Sequence, residues 1–263
     1  MNDTATPTLH RQPRDAPPPA PSSRILNVVR LHLANPRNIV VMPLLILATI
    51  FLVNLSIWWI VLSAIDDPAA RAETSEGFGY NGATTFIFVY MMVVAVMSMN
   101  QTFNFALGMS ITRREYYLGT SLTFVVLSAF FTAVLTLAAA LETATNGWGV
   151  SGRMFTAVYF GDDSWWQRSL VYFAAFLFFF FFGAAIATIY VRWKATGLTI
   201  FFVVFAFALV GLVALLTFTD SWPAFGQWFV DNGAIGAAVW SLPVTALSAV
   251  AGHLLLRRAT PRG

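Results

Sequence analysis

GMSITRREYYLGT, residues 108–120, sets three charged side chains, Arg113, Arg114 and Glu115, between two long uncharged stretches. No Asp, Glu, Lys or Arg occurs from 77 to 112, and none from 116 to 141. Two apolar segments of that length on either side of a short basic stretch predict a hairpin of membrane helices that turns at Arg113 and Arg114. Loops rich in Lys and Arg are retained on the cytoplasmic side during insertion, so this turn is expected inside.

Composition agrees with that reading. The chain has 263 residues, of which 58% are hydrophobic, 16% aromatic and only 10% charged, and its mean hydropathy is +0.70. That is too little polar surface to coat a soluble globule, and it predicts an all-α integral membrane protein. The formal charge of +3 is accounted for by arginines at the expected inner loops, so no nucleic-acid partner is implied. With no cysteine, disulfides, thiolate metal sites and cysteine nucleophiles are excluded together. No cofactor or metal is expected in this chain.

Upstream of the hairpin, residues 1–22 include the run APPPAP and are expected to form a disordered cytosolic tail with no signal-peptide core. Residues 23–35 place Ile25, Val28, Val29 and Leu33 on one helical face and Arg24, Asn27 and Arg30 on the other. This predicts an amphipathic helix on the inner membrane surface, capped by Ser22 or Ser23. A helix needs about 20 apolar residues to cross the hydrocarbon layer of about 30 Å. On that basis six spans are expected, at about 39–62, 84–107, 118–140, 169–190, 197–218 and 235–256. Together with the inner helix they form one permease domain, 23–258, followed by a short cytosolic tail at 259–263. Trp58 and Trp59 end the first span at interfacial depth, and a polar outer loop with Asp66, Asp67, Arg71, Glu73 and Glu76 follows. A second outer loop runs from Glu142 to Arg168. Arg192 and Lys194 mark an inner turn, and Trp222, Phe225 and Phe229 share the face of a short outer helix between spans five and six.

The orientation can be checked against every cation in the chain. Twelve of the fifteen Lys and Arg residues fall on the expected inner side, and only Arg71, Arg153 and Arg168 fall outside, which favours both termini in the cytosol. None of the six expected spans carries an Asp, Glu, Lys or Arg. Carriers driven by protons or sodium keep an ionisable group in the membrane despite a cost of about 2.5–3.5 kcal/mol at its centre. The driving force is therefore expected to act from outside the bilayer.

The uncharged stretch 77–112 would be about 54 Å long as one helix, more than a bilayer requires, so its inner end is expected to project or break. Near that end Met97, Asn100, Gln101 and Asn104 recur at helical spacing as a weakly polar stripe. Such amides either bond between helices or face a dimer partner or a solute path. Five of the eight methionines, Met91, Met92, Met97, Met99 and Met109, lie on this segment, where flexible thioethers suit an adaptable surface and ordinary packing alike.

An amphipathic inner helix, six spans, an overrunning second span that leads into TRRE, and a helical outer loop before the last span resemble the permeases of ABC-type exporters of the type-2 superfamily. The run FALGMSITRREYYLG, residues 105–119, is similar to the coupling-helix pattern of stand-alone bacterial permeases in that family. The resemblance implies a short cytosolic coupling helix between spans two and three. There Arg113, Arg114, Glu115, Tyr116 and Tyr117 would contact a separate ATP-binding subunit, while the permease pairs with a second copy or a paralogue in the bacterial cytoplasmic membrane. ATP and Mg²⁺ are then expected in the partner. A phosphate-binding loop needs Gly-Lys followed by Ser or Thr, whereas the only lysine here, Lys194, stands between Trp193 and Ala195. Two other readings remain: a membrane scaffold that transports nothing, and a rhomboid-like intramembrane serine protease built on Gly149, Ser151, Gly152 and His253. The latter requires Ser151 and His253 to meet within about 3 Å, although the expected topology sets them at opposite ends of the spans.

Overall fold

The computed structural model describes residues 21–161 and 164–257. The expected N-terminal tail, apart from Pro21 and Ser22, lies outside the described residues, as do Asp162, Asp163 and the C-terminal arginines Arg258 and Arg262. Seven α-helices follow in order: α1 (Pro21–Leu33), α2 (Met42–Ser63), α3 (Pro68–Gly77), α4 (Thr85–Gly108), α5 (Arg113–Ala144), α6 (Trp165–Phe218) and α7 (Trp222–Arg257). No strand occurs among the described residues. Five helical segments are long and apolar enough to cross a membrane, and they begin at Arg37, Pro68, Arg113, Trp165 and Trp222. This inventory is compatible with a multi-pass membrane protein.

Local signals explain where these helices start and stop. Asp67 caps α3 by accepting from the Ala69 and Ala70 amides at 3.1 and 3.3 Å, with Pro68 in the first turn. The region expected to be a polar loop is therefore largely a surface helix. α4 stops at Gly108, where Ser110 takes a left-handed φ of 59°. The next helix starts at once through a capping box: Thr112 Oγ1 accepts from the Glu115 amide at 3.2 Å, and Glu115 Oε2 accepts from the Thr112 amide at 2.9 Å.

Two sequence expectations change here. The expected short coupling helix is not a separate element, because nothing after Thr112 breaks the helix, and its residues form the opening turns of α5. The overrun belongs to α5 and not to the second span. α5 has 32 residues, about 48 Å of helix against about 30 Å of hydrocarbon, while α4 has 24 and leaves its surplus in the turns at either end.

Aromatic contacts fix the packing. Phe124 of α5 stacks on Phe180 of α6 at 4.9 Å, Phe131 meets Phe176 at 5.7 Å, and Thr136 bonds Ser169 at 2.8 Å, so these two helices run antiparallel. Phe88 of α4 lies 4.6 Å from Phe176, and a Cβ added at Gly183 would sit 2.6 Å from the Met92 carbonyl, so α4 runs parallel to the first part of α6 and close to it. Phe176, Phe180 and Phe181 of α6 are thus buried in the core. Met91 and Met99 are fully buried in the same core, whereas Met97 and Met109 are exposed.

α6 is not one rod. At Lys194 the backbone leaves the helical region (φ 57°, ψ −149°). Phe182 and Phe205, twelve residues before it and eleven after, have ring centroids 6.4 Å apart, whereas a straight helix would separate them by about 35 Å. The chain therefore doubles back at Lys194 into two antiparallel limbs. α7 bends in the same manner at Gly233 (φ 59°, ψ −167°), and Trp228 and Trp240 meet at 6.4 Å across the bend. The second limb of α6 and much of α7 present exposed apolar side chains, among them Phe207, Val210, Leu247 and Val250.

Candidate functional site: the α5 start and its clasp

Three helices, α1, α4 and α7, converge on the first two turns of α5. Arg113 Nη1 donates to the Arg257 carbonyl at 2.9 Å, which supplies a donor to one of the carbonyls left unpaired at the C-terminal end of α7. Arg114 is exposed. Glu115, besides capping its own helix, lies 3.7 Å from Arg24 of α1, a partly exposed pair of small energetic value. Charged groups therefore ring the outside of the α5 start.

Behind them the side chains are buried. The Tyr116 hydroxyl lies 2.8 Å from Thr102 Oγ1 and 3.3 Å from the Met99 carbonyl, both on α4. The Tyr117 hydroxyl donates to the Ala249 carbonyl of α7 at 2.6 Å, and its ring lies 5.2 Å from that of His253. Both tyrosines are nearly inaccessible. This corrects their expected role at a partner surface: the helix period turns them inward, where they pack against α4 and α7.

α1 completes the clasp. Val28 is fully buried against Gly119, where an added Cβ would stand 2.5 Å from Val28 Cβ and 2.9 Å from the Ile25 carbonyl. Only a residue without Cβ permits that approach. One turn on, His32 of α1 is buried, with Nδ1 2.7 Å from Ser98 Oγ and Nε2 2.9 Å from Thr120 Oγ1. Burial lowers its pKa from 6.5 to about 4, so at neutral pH the ring is uncharged and spans α4 and α5 as one donor and one acceptor. Sequence reading gave α1 a face on the membrane and missed this inward histidine, whose partners lie 66 and 88 residues away.

The polar stripe divides. Met97, Gln101 and Asn104 are exposed on the outer face of α4, and Asn100 is half-buried with its Oδ1 sealed from solvent and unpartnered. No hydrogen bond joins Asn100, Gln101 or Asn104 to another described residue. Bonding between helices within one chain, one of the two uses open from sequence, is thus not seen among the described residues.

At the other end of the bundle a carboxylate organises the loop after α5. Glu142 is buried, and its Oε2 accepts from Trp148 Nε1 at 3.1 Å and from the Met154 and Phe155 amides at 3.0 and 3.1 Å. Its Oε1 accepts from the Thr156 amide at 2.8 Å and the Thr156 hydroxyl at 2.7 Å. The Tyr172 hydroxyl donates to the Phe155 carbonyl and holds the same loop from α6. Ser151 lies in this loop, while His253 packs on Tyr117. The length of α5 between Tyr117 and Ala144, about 40 Å, separates them. Those two residues therefore form no nucleophile–base pair.

Among the described residues no group of three or more His, Cys, Asp or Glu side chains is arranged to hold a metal. No family model, curated protein or solved structure matches the chain. The family resemblance of residues 105–119 rests on the sequence itself.

Proposed function

We propose that this chain is the membrane-spanning permease subunit of an ATP-driven exporter of the ABC type. It works as a dimer with a second copy or a paralogue, and with separate subunits that bind ATP and Mg²⁺. Its six spans would be the four apolar helices α2, α4, α5 and the last limb of α7, plus the two limbs of α6, with both termini in the cytosol of a bacterial cell. The exported solute is hydrophobic or amphipathic, of the drug, peptide or lipid kind, since no expected span carries a charge that would select an ion.

One observation carries this reading. Arg113, Arg114 and Glu115 stand at the surface of a helix start whose inner side is tied to α1, α4 and α7 by Gly119, His32, Tyr116 and Tyr117. A partner that pushes there would move several helices together, as conversion of ATP energy into transport requires. Charge distribution supports the orientation. Among the described residues, Arg24, Arg30, Arg37, Arg113, Arg114, Arg192, Lys194 and Arg257 gather at the α1 end, and only Arg71, Arg153 and Arg168 at the other.

The test exchanges Arg113 and Arg114 together for lysine. The charge that anchors the turn inside is kept, and the planar fork that pairs bidentately with carboxylates is lost. Docking predicts normal insertion with weaker co-purification of the ATP-binding subunit and less solute-stimulated ATP hydrolysis. Full retention of binding and hydrolysis would reduce the two arginines to a topological anchor and favour the scaffold reading.

A further inference from the structure

The reversal that divides α6 turns on a residue poorly suited to it. At Lys194 the backbone stands at φ 57° and ψ −149°, a region that residues with a Cβ rarely occupy and that glycine enters freely. The matching bend in α7, at φ 59° and ψ −167°, uses Gly233. Lys194 is also the only lysine among the fifteen Lys and Arg of the chain. Backbone strain of this kind persists where the side chain itself is needed.

Beside Lys194 an apolar pocket of about 380 Å³ opens between the two limbs of α6. Ile189 and Trp193 line it from the first limb, and Thr196, Gly197, Ile200 and Phe201 from the second. Trp193 and Ile200 are exposed, so the pocket is open at its side. Phe201 lies seven residues past Lys194, which gives a reach of about 10 Å from the reversal along the helix. Arg192 lays its guanidinium over the Trp193 ring, 4.4 Å from the centroid, and so sets a second cation beside the pocket wall. A ring face is no counter-charge, and among the described residues neither Arg192 nor Lys194 makes an ion pair or a side-chain hydrogen bond.

The positive excess at this end survives a count of every acidic residue. Of the twelve Asp and Glu in the sequence, Asp3, Asp15 and Glu115 fall on the expected inner side, against twelve Lys and Arg. Glu115 lies against Arg24. Asp3 and Asp15 lie outside the described residues, and their segment carries Arg11 and Arg14 as well.

We propose that this corner of α6 binds one anionic phospholipid of the surrounding bilayer, with its phosphate held by Lys194 and Arg192 and the upper part of one acyl chain in the pocket. The site does not require ATP-driven export. Only its assignment to the inner leaflet follows from the proposed orientation, so its failure and a failure of coupling at Arg113 and Arg114 are separate results. A compact ammonium and a planar guanidinium both suit phosphate oxygens, and basic pockets between membrane helices favour acidic head groups on the cytoplasmic side. Trp193 supplies the indole expected where head groups meet tails.

The experiment uses the full chain in mild detergent, read by native mass spectrometry after adding phosphatidylglycerol, phosphatidylcholine with the same acyl chains, or glycerol phosphate alone. Phosphatidylglycerol should be retained at about tenfold lower concentration than phosphatidylcholine, with no retention of glycerol phosphate in that range. Lys194→Gly separates charge from fold: it relieves the backbone, so the melting temperature should hold or rise, while the lipid preference falls about threefold or more. Arg192→Gln should lower the preference too. Arg30→Gln combined with Arg37→Gln removes two exposed cations from the same end and should leave the preference unchanged. Ile200→Trp, which fills the pocket, should weaken both lipids. Equal retention of the two lipids by the wild-type chain would overturn the proposal, as would tight binding of glycerol phosphate alone. A preference kept in Lys194→Gly, or lost equally in the Arg30 and Arg37 variant, would overturn it by showing no local site. A lower melting temperature for Lys194→Gly would make the lysine structural and would overturn it as well, and so would unchanged binding by Ile200→Trp.

Discussion

Gly119 of α5 and Val28 of α1 touch so closely that a single methyl at position 119 would lie 2.5 Å from Val28 Cβ. The contact joins a helix expected on the membrane surface to the helix whose first turn carries Arg113 and Arg114. Any displacement of the α5 start must therefore carry α1 with it or break this contact.

Gly119→Ala tests that coupling. Alanine gains roughly 0.5–1 kcal/mol of helix propensity, but the overlap is with Val28 Cβ and the Ile25 carbonyl, neither at the end of a flexible chain, and overpacking of this kind costs about 1–3 kcal/mol. Net destabilisation is expected, read as a lower melting temperature in detergent and faster proteolysis between Arg24 and Arg37. Gly211→Ala, where nothing lies within 4 Å, should show neither effect. Equal behaviour of the two variants would remove α1 from the clasp.

Acid should loosen the same joint. The folded-state pKa of His32 lies below its unfolded value of about 6.5, so the unfolded chain binds more protons at intermediate pH, and stability falls as pH drops from about 6.5 towards 4. One such group gives a slope of up to about 1.4 kcal/mol per pH unit. His32→Gln keeps a donor and an acceptor without titrating, and should lose that part of the slope. Identical pH profiles for the two proteins in thermal unfolding would show that His32 does not titrate on unfolding.

The outer loop depends on Glu142 in the same local manner. Glu142→Gln places an amide NH₂ where one oxygen now accepts backbone N–H groups, leaving buried donors facing a donor. A loss of about 2–4 kcal/mol is expected. Tryptic cleavage at Arg153 and a shift in Trp148 fluorescence report it, since the indole nitrogen itself donates to this carboxylate. A loop as resistant as wild type would contradict the role given to Glu142.

On α4 the Asn104 amide is exposed, while the Asn100 Oδ1 is sealed within the chain without a partner; in the proposed dimer the Asn104 amide would meet the second subunit or the solute path, because unsatisfied amides facing lipid are costly. Replacing both with leucine should lower transport or dimer cross-linking while membrane insertion stays normal. Unchanged transport and assembly would return this face to lipid.

Much of this architecture is legible in residue chemistry alone. The uncharged stretches locate the apolar helices, and Arg192 with Lys194 mark the reversal that divides α6. Thr112 and Glu115 spell a capping box in the sequence, and reading it would have placed the start of α5 and removed the separate coupling helix. Asp67-Pro68 likewise announces α3. Three features leave little local trace. Glu142 is held mainly by backbone amides, which carry no residue signature; His32 pairs with hydroxyls far along the chain; and the inward turn of Tyr116 and Tyr117 depends on where α4 and α7 pack.

The account rests most of all on Arg113 and Arg114 facing the compartment that holds ATP. The chain has no native cysteine, so single cysteines can be read without background. On intact cells, an impermeant thiol reagent is expected to label cysteines placed at Ser75, Ser164 and Asn232, and to leave those at Thr112 and Ala195 unlabelled until the membrane is opened. Labelling at Thr112 from outside, with Ser75 protected, would contradict the orientation and with it the coupling of this chain to ATP.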